Sequence, residues 1–486
     1  MLFITFIYLC IPIFIGVHFM VKYDLVLKGG FVVDPKNGLE DYMDIGVSGG
    51  VVVELDYDID PRYAAEVLDV SDRIVFPGVI DSHTHIGRMG HKMMAKVGVI
   101  TAIDMSASME SIAMNMRNYG AGLNVGTVTN IRNYHHKATE TLSTSEIKDA
   151  ISKAMVEGSL GIKITGGHNP FTPETTAEII SECNEAGCYV AFHVGTTKTG
   201  SDLNGFMEAL DLAGGNGLHI AHVNSYCRGL IEDPVYEALK AISALKGKSR
   251  IASESYLALI NGTSGLCVGD VPVSRVTRNC LRMRGYPESK AGLEKAIRDG
   301  YAYVRVEAGG ESVLITGEDG VKLWLEAETN IGISFPVNDP EAQIVLATAK
   351  DGGKFVVDAI STDGGDIPRN VQVEYGMLLV KFGALSLRDL AVKLSLNPAM
   401  MFGLEGKGHL GVGADADITV IDPLTGTACM GISGGKVVMV NGVVVGSGGR
   451  IITTEHGLDN VKKYGFECKV ADLSKAKMYS GVIYSG

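Results

Sequence analysis

Apolar and polar residues alternate along residues 22–75, where glycine and aspartate interrupt the pattern at short intervals. Alternation with a period of two is typical of strands that bury one face. The pattern predicts short antiparallel strands at residues 24–27, 31–33, 44–47, 51–55 and 66–68. The same pattern returns at residues 416–421, 436–440 and 443–445. Together the two flanks predict one small β-sandwich domain, built from residues 20–76 plus 408–450.

Between the flanks, strand patterns alternate with helical patterns. One apolar run ends at His85, and further strands are predicted at residues 99–104, 123–130, 160–165, 189–193, 219–223, 250–254 and 355–362. Helices are predicted at residues 145–157, 173–185, 202–212 and 233–245. The second of these has a favourable start, because Thr172 is a good N-cap and Pro173 follows it. Eight strands in this alternation predict an α/β fold, a (β/α)8 TIM-like barrel over residues 77–407.

One connection in the predicted barrel is much longer than the others. Residues from about 262 to 341 separate the seventh strand from the eighth, whereas connections in compact domains are commonly about 4–6 residues long. We interpret this segment as an inserted lid or subdomain. Within it, the sequence predicts a β-hairpin with strands at residues 312–316 and 321–326. Residues 451–486 are assigned to a C-terminal tail.

The composition is that of a globular protein with a large core, since 46% of the residues are hydrophobic and 20% are charged. The net charge of −13 argues against a nucleic-acid partner or an anionic membrane surface. Eight cysteines are scattered without a Cys-x-x-Cys pair. This pattern favours reduced thiols over a disulfide framework, and therefore a cytoplasmic protein.

The first nineteen residues contain no formally charged side chain and are nearly all apolar. Their length approaches that of a membrane span, but a basic start is missing, and Pro12 and Gly16 interrupt the run. Met20 opens a stretch that is typical of the start of a soluble enzyme. Two hypotheses follow for residues 1–19. Translation starts at Met20, which we favour, or the segment anchors the protein in a membrane.

His83 and His85 stand at the end of the first barrel strand, on either side of Thr84. Side chains alternate between the faces of a strand, so both imidazoles point to the same side. Two imidazoles at the mouth of a buried strand suit a metal ion with nitrogen ligands, such as zinc. An isolated His-x-His pair is equally compatible with a half-exposed strand that carries two incidental histidines.

Other strand ends also carry side chains that can bind metals, namely Lys163, His193, His222 and Asp363. Chemistry in such a barrel is located at the C-terminal ends of the strands, so the series predicts one metal site that includes His83 and His85. His222 is preferred to His219, because residues three apart in a strand face opposite sides. For Asp363 alone, the alternative interpretation is an ordinary Asp-Gly-Gly turn.

Lys163 lies in an apolar strand, where burial of a charged ammonium is costly. It should therefore be neutralised, paired or modified. One hypothesis pairs it with Asp104 or another carboxylate. The hypothesis that we favour is carbamylation by carbon dioxide, which would give a carboxylate that bridges two metal ions.

Residues just beyond the strand ends are candidates for contact with a small-molecule substrate. They are His168, Asn224, Tyr226, Arg228 and Arg369. An arginine at such a position can form a bidentate pair with a substrate carboxylate. For any single residue of this set, a role in a surface loop is an equally good interpretation.

The ordered strand ends, headed by the motif at residues 77–85, resemble the amidohydrolase superfamily. The resemblance extends from Met20 to about Arg450 and includes residues 386–399 and 411–418. It implies two divalent cations, with zinc as the expected metal. By this resemblance His83, His85 and Asp363 hold one cation, His193 and His222 hold the other, and carbamylated Lys163 holds both. It also implies that Asp363 takes a proton from a water between the cations and then protonates the leaving nitrogen.

Within the superfamily, the lysine is similar to that of hydantoinases, dihydropyrimidinases and dihydroorotases, which open cyclic amides, and of isoaspartyl dipeptidase. The long insertion and residues 158–162 resemble D-aminoacylases, which cleave linear N-acyl amino acids, although the corresponding strand of that group lacks the lysine. Deaminases are less similar, because they use one metal and a His-x-x-Glu step, whereas Val194, Gly195 and Thr196 follow His193.

We therefore predict a metal-dependent amidohydrolase that cleaves non-peptide C–N amide bonds, with cyclic amides as the favoured substrates. The alternative is an N-acyl-D-amino-acid deacylase or an isoaspartyl-dipeptidase-like hydrolase of linear amides. By analogy with the superfamily, the protein is expected to be a homo-oligomer.

Overall fold

The computed structural model describes residues 21–135 and 139–484. The hypotheses for residues 1–19 therefore concern a segment outside the described residues. In the part of the chain that is described, no helix is both long and apolar enough to cross a membrane.

Eight parallel strands form the barrel. They are Val79–His85, Val99–Asp104, Ala121–Asn130, Gly161–Thr165, Tyr189–His193, Leu218–Ile220, Ile251–Tyr256 and a split eighth strand, Ala359–Ser361 with Gly364–Gly365. The first piece of the eighth strand pairs with the seventh strand, and the second piece pairs with the first strand. The sheet thus closes on itself around Asp363. This arrangement confirms the predicted (β/α)8 barrel.

Helices follow most of the barrel strands. They are Gly90–Lys96, Met109–Tyr119, Thr144–Glu157, Pro173–Glu185, Leu203–Ala213, Pro234–Leu245, Pro340–Thr348 and Gln372–Lys381. A last helix runs from Leu387–Ala391 through the π-helical turn Val392–Leu396 into Asn397–Phe402. Local sequence explains several starts: Ser143 and Glu146 form a capping box, and Thr172 caps the helix that begins with Pro173.

Both ends of the chain contribute to a second sheet. Its strands are Tyr23–Asp34, Leu39–Ser48, Val51–Asp56, Ala64–Asp69, Ile74–Pro77, Ile418–Asp422, Thr427–Ser433, Lys436–Val440 and Val443–Val444. Ile74–Pro77 joins the two halves, because it pairs in parallel with Tyr23–Asp34 and antiparallel with Ile418–Asp422. The same strand leads directly into the first barrel strand, so the sheet supports the barrel at the base of the His83 strand.

The segment between the seventh and eighth barrel strands folds into a layer of its own. Thr263–Ser264, Tyr303–Ala308, Glu311–Ile315 and Gly332–Ser334 form a small sheet, Cys267–Val268 and Val271–Pro272 form a hairpin, and the helices are Arg275–Met283, Lys290–Arg298 and Gly317–Glu326. These elements enclose a core of their own around Trp324.

The hairpin predicted inside this segment is wrong. Residues 321–326 belong to the helix Gly317–Glu326, and Glu311–Ile315 pairs with the preceding strand Tyr303–Ala308 instead. Val321 and Trp324, three residues apart, are buried on one helix face, which is a helical spacing rather than an alternation. Glu318 and Asp319 in the first turn also favour the helix through its dipole.

The tail packs along the barrel. Gly448–Thr453 runs parallel to the third barrel strand and to Glu467–Val470, and the short helices are Leu458–Lys462 and Lys477–Ser480. Lys477 is buried and forms an ion pair with buried Asp358, at 2.6 Å. Because Asp358 directly precedes the eighth barrel strand, this pair ties the tail to the strand that carries Asp363.

Candidate metal centre

His83, His85 and Asp363 meet at one edge of the barrel. Nε2 of His83 lies 3.4 Å from Oδ1 of Asp363, and Nε2 of His85 lies 3.1 Å from the same oxygen. One ligand atom from each residue falls within 4.8 Å of the others. Two imidazole nitrogens and a carboxylate oxygen at this spacing are a donor set that suits a divalent transition metal.

The first and eighth strands are held together by polar contacts. Asp81 accepts hydrogen bonds from Oγ1 of Thr362 at 2.5 Å and from the backbone N–H of His83 at 3.1 Å. The backbone N–H of Asp363 donates to the carbonyl of His83 at 2.9 Å. Burial raises the pKa of Asp81 to about 7. These contacts fix the strand that carries both histidines against the strand that carries Asp363.

Asp363 is surrounded by positive and polarisable groups. Its Oδ2 lies 2.5 Å from Nη2 of Arg369, a guanidinium that is itself buried. Burial alone would raise the pKa of Asp363, but Arg369 and the neighbouring His83 and His85 outweigh burial and hold it well below its usual range. The carboxyl group is therefore ionised, as a metal ligand or a proton acceptor must be.

His193 and His222 lie beside this cluster. Their ring centroids are 4.5 Å apart, and the ring of His222 is 5.0 Å from that of His83. Burial and mutual repulsion lower the pKa of His193 well below its usual range, and burial does the same for His222. Both rings are therefore neutral, the form that binds metals. Nε2 of His193 lies 3.1 Å from Oγ of Ser201.

The sixth strand ends earlier than predicted, at Ile220. His222 lies past this end with a φ of +33°, and Asp363 has a φ of +49°. Such left-handed conformations are strained in residues with a side chain and are frequent at functional sites. His219 lies deeper in the barrel, where its Nδ1 is 3.1 Å from the hydroxyl of Tyr189. The strained turn therefore places the His222 ring beside those of His83 and His193, whereas His219 contacts Tyr189 inside the barrel.

Lys163 is buried, and its Nζ has no hydrogen-bond partner among the described residues. Asp104, the partner suggested by one hypothesis, instead accepts hydrogen bonds from the backbone N–H groups of Ile86, Ser106 and Ala107. Burial lowers the pKa of Lys163 to about 8. An amine in this setting is available for modification or for metal binding rather than committed to an ion pair.

A cavity of about 80 Å³ opens onto His85, His193, His222 and Asp363. Its walls come from the strand ends, from the loop after the sixth strand and from the inserted segment: His85, His168, His193, Ser201, His222, Ser225, Arg228, Leu230, Tyr256, Asn261, Gly262, Val276, Asn279, Cys280, Met283, Asp363, Ile367 and Arg369. The inserted helix Arg275–Met283 supplies much of the apolar wall. The sequence interpretation placed a lid here but identified none of its lining residues.

The five predicted substrate contacts divide into two groups. His168, Arg228 and Arg369 line the cavity. Asn224 and Tyr226 do not belong to the lining: Oδ1 of Asn224 accepts from Oγ of Ser255 and from the backbone N–H of Tyr256, and the Tyr226 hydroxyl accepts from the backbone N–H of Val194. Both side chains hydrogen-bond residues of the barrel, so they stabilise the strand ends and do not line the cavity.

Arg369 lines the cavity and is also engaged by Asp363. In addition to its ion pair with Asp363, its Nε donates to the Asp363 carbonyl at 2.6 Å. The guanidinium is thus directed at the chain's own carboxylate. Tyr256 in the seventh strand was missed, although its position at a strand end matches the rule that identified the histidines.

A (β/α)8 barrel whose C-terminal strand ends carry clustered histidines and an ionised aspartate defines a metal-dependent hydrolase of the barrel type. The chain belongs to the amidohydrolase family, whose model matches residues 74–445. It is a hydrolase that acts on carbon–nitrogen bonds other than peptide bonds.

Among curated proteins, the chain is 28% identical over 429 residues to a dihydroorotase from Geobacter metallireducens, an alignment that covers 82% of this chain and 90% of the relative. Among solved structures, it is similar to a D-aminoacylase mutant in complex with CuCl2, with a TM-score of 0.66 at 16% identity, covering 89% of this chain and 100% of the other. It is also similar to D-hydantoinase, with a TM-score of 0.59 at 18% identity, covering 88% of this chain and 98% of the other. Family membership and the cluster of His83, His85 and Asp363 support the use of a divalent metal.

Proposed function

We propose that the protein hydrolyses the amide bond of a small cyclic substrate, using two divalent cations, with zinc as the expected metal. The observation that carries this proposal is the shared cavity of about 80 Å³ in which Asp363, His85, His193, His222 and Arg228 meet. Its small size and the wall from the inserted helix suit a compact ring better than an extended acyl chain. The similarity to proteins named dihydroorotase and D-hydantoinase supports the same proposal of a cyclic amide substrate.

In the proposed reaction, Asp363 moves the proton. When bound, the cations lower the pKa of a coordinated water and polarise the scissile carbonyl. The carboxylate of Asp363 accepts a proton as the water oxygen forms its bond to the carbonyl carbon. As the C–N bond breaks, the same group returns that proton to the leaving nitrogen. Arg369 keeps Asp363 ionised and aimed into the cavity between these steps.

Lys163 is proposed to carry a carbamate. Its neutral amine adds to carbon dioxide, forms one N–C bond and releases one proton to solvent, which leaves a carboxylate on a buried side chain. The unpartnered Nζ supports this assignment. The strand that bears Lys163 pairs with the strand that bears His193, so the new carboxylate would lie between the two groups of histidines.

Arg228 is proposed to bind an anionic group of the substrate. Its Nε donates to Oδ1 of Asn338 at 2.7 Å, and its Nη2 donates to Oγ of Ser225 at 3.0 Å and to the Tyr256 hydroxyl at 2.9 Å. These acceptors are neutral, and among the described residues no carboxylate pairs with Arg228. A guanidinium that is held in place but not neutralised suits a substrate carboxylate.

Ring opening tests the proposal directly. Purified protein with zinc and bicarbonate is assayed on hydantoins and dihydropyrimidines, with and without a ring carboxylate, and loss of the amide absorbance is measured. Activity on these rings is the expected result. Activity confined to N-acyl-D-amino acids would instead favour the deacylase alternative, and ammonia release with one metal per chain would favour a deaminase.

Metal content tests the role of Lys163. The wild type is expected to hold two metals per chain, and Lys163→Ala to lose metal sharply whether or not bicarbonate is present. Unchanged metal content and activity in the variant would contradict the carbamate. The cytoplasmic location and the homo-oligomer stay predictions.

A further inference from the structure

A buried carboxylate lies beneath the predicted metal site. Glu254, in the seventh strand, is fully buried. Its Oε1 is 2.7 Å from Nδ1 of His83 and also accepts from the backbone N–H of His222 at 2.7 Å. Its Oε2 accepts from Oγ of Ser361. One side chain of the seventh strand therefore contacts the ends of the first, sixth and eighth strands.

The partners of Glu254 are unusual for a buried acid. Burial of a carboxylate is costly unless donors or a cation compensate it. No lysine or arginine of the described ranges lies within ion-pair distance of Glu254; its ion-pair contacts are His83 and, at 3.6 Å, His219. Its negative charge is therefore compensated by groups of the site, and it adds to the attraction of that site for a cation.

The contact with His83 determines which nitrogen of the ring faces Asp363. An ionised carboxylate only accepts hydrogen bonds, so Nδ1 of His83 must carry the proton. Nε2 then presents its lone pair toward Asp363, where the ligand atoms of His83, His85 and Asp363 cluster. A carboxylate that fixes the orientation and tautomer of a metal-binding histidine in this way is a recurring feature of metal sites.

The contact with His222 involves the backbone. His222 holds a strained, left-handed conformation with a φ of +33°, and its N–H is satisfied by the same oxygen that holds His83. Strained backbone persists where surrounding contacts enforce it. Glu254 therefore holds the turn that brings the His222 ring to within 5.0 Å of the His83 ring.

We infer that Glu254 is a positioning residue that sets His83 and His222 together, one predicted ligand from each of the two metal positions. This inference rests on the proposed metal site. It assigns Glu254 no contact with substrate, and it predicts that its loss weakens metal binding itself.

A second buried glutamate provides a matched control. Glu237 is also fully buried, and its carboxylate accepts from the backbone N–H groups of Gly229, Ile231 and Glu232. It closes a loop and contacts none of the predicted ligands. Replacement of either glutamate by glutamine keeps the size of the side chain and removes the charge.

The experiment measures the affinity of metal-free, full-length protein for zinc by competition with a chromophoric chelator. Glu254→Gln is expected to bind the metal about 10- to 100-fold more weakly than wild type, while Glu237→Gln stays close to wild type. The visible absorption of bound Co²⁺ should also change in Glu254→Gln only. Equal affinity of Glu254→Gln and wild type, or an equal loss in both variants, would overturn the inference.

Ser361→Ala keeps the test decisive if Glu254→Gln does not fold. This variant leaves the carboxylate in place but frees its Oε2, so a smaller loss of zinc affinity is expected in the same direction. Wild-type affinity in a folded Ser361→Ala, with Glu254→Gln unfolded, would count against positioning by Glu254. A wild type that binds no metal would overturn the metal site of the proposed function as well, which distinguishes the two failures.

Discussion

Arg369 holds Asp363 by two contacts at once. Nη2 of Arg369 lies 2.5 Å from the carboxylate Oδ2, and Nε donates to the carbonyl of the same residue at 2.6 Å. One guanidinium therefore fixes both the side chain of Asp363 and its left-handed backbone, which has a φ of +49°. The charge of a reactive carboxylate and its direction are set by the same neighbour.

We predict that Arg369→Gln impairs both stability and catalysis. The change leaves the buried Asp363 carboxylate without its cation, and breaking a buried ion pair on one side costs about 3–5 kcal/mol. The free energy of unfolding, measured in urea, should fall by an amount of this order. In the protein that remains folded, kcat should fall more than KM rises, because Arg369 is directed at Asp363 and not at the substrate. Equal kcat values for variant and wild type would contradict this role.

Arg228 is predicted to act on substrate affinity instead. Arg228→Gln should raise KM at least tenfold for a ring substrate that carries a carboxylate, since the loss of one charge-assisted contact is worth about 1.5–3 kcal/mol. The same ring without the carboxylate serves as control, and its KM should change little. A similar rise of KM for both substrates would show that Arg228 shapes the cavity rather than binds an anion.

The sequence was most informative where a chemical pattern coincided with a strand end. The barrel, the helix Pro173–Glu185 and the positions of His83, His85 and Asp363 follow from periodicity, capping and residue type. The inserted segment was harder, because Val321, Leu323 and Leu325 alternate as in a strand, whereas the structure buries Val321 with Trp324 on one face of a helix. Position within a local pattern is thus predictable, whereas the packing between distant segments is not.

The roles of Glu254, Tyr256 and Arg369 depend on contacts between residues that are far apart in the chain. Glu254 and Tyr256 lie in a strand that has no recognisable motif, and only the folded barrel places them under His83 and beside Arg228. Arg369 was predicted to bind substrate because a loop arginine has that capacity. Which carboxylate it pairs with depends on the closure of the eighth strand, which no local sequence pattern reports.

Gly167 is predicted to be required for the position of His193. A Cβ atom built at residue 167 would lie 2.1 Å from Nε2 of His193, so Gly167→Ala must displace the ring and break its contact with Ser201. The variant should lose metal at the position that His193 and His222 share, which lowers the metal content toward one per chain. Elemental analysis after dialysis measures this loss.

Gly406→Ala is the control for that experiment, because its nearest neighbouring atom would lie 3.7 Å away. We expect its metal content to equal that of wild type. If Gly167→Ala also retained two metals per chain, the close contact between residue 167 and His193 would not restrict the site.

His91 is predicted to make the protein sensitive to acid. The ring is fully buried, neither nitrogen has a partner among the residues described, and burial lowers its pKa from 6.5 to about 4. Between these values the unfolded chain binds a proton that the folded protein does not. The stability that comes from the neutral ring is therefore fully present above pH 6.5 and is lost as the pH falls toward 4.

Replacement of this ring tests the linkage. At pH 5 the buried His91 ring lowers the free energy of unfolding of the wild type by about 2 kcal/mol. Between pH 7.5 and pH 5, the difference in free energy of unfolding between His91→Leu and wild type should therefore shift by about 2 kcal/mol in favour of the variant. Urea unfolding at the two pH values measures the change. His456→Gln, at an exposed histidine, should leave the pH dependence as in wild type. An equal loss of stability on acidification in His91→Leu and wild type would show that other buried groups, such as His83 and His222, account for the acid sensitivity instead.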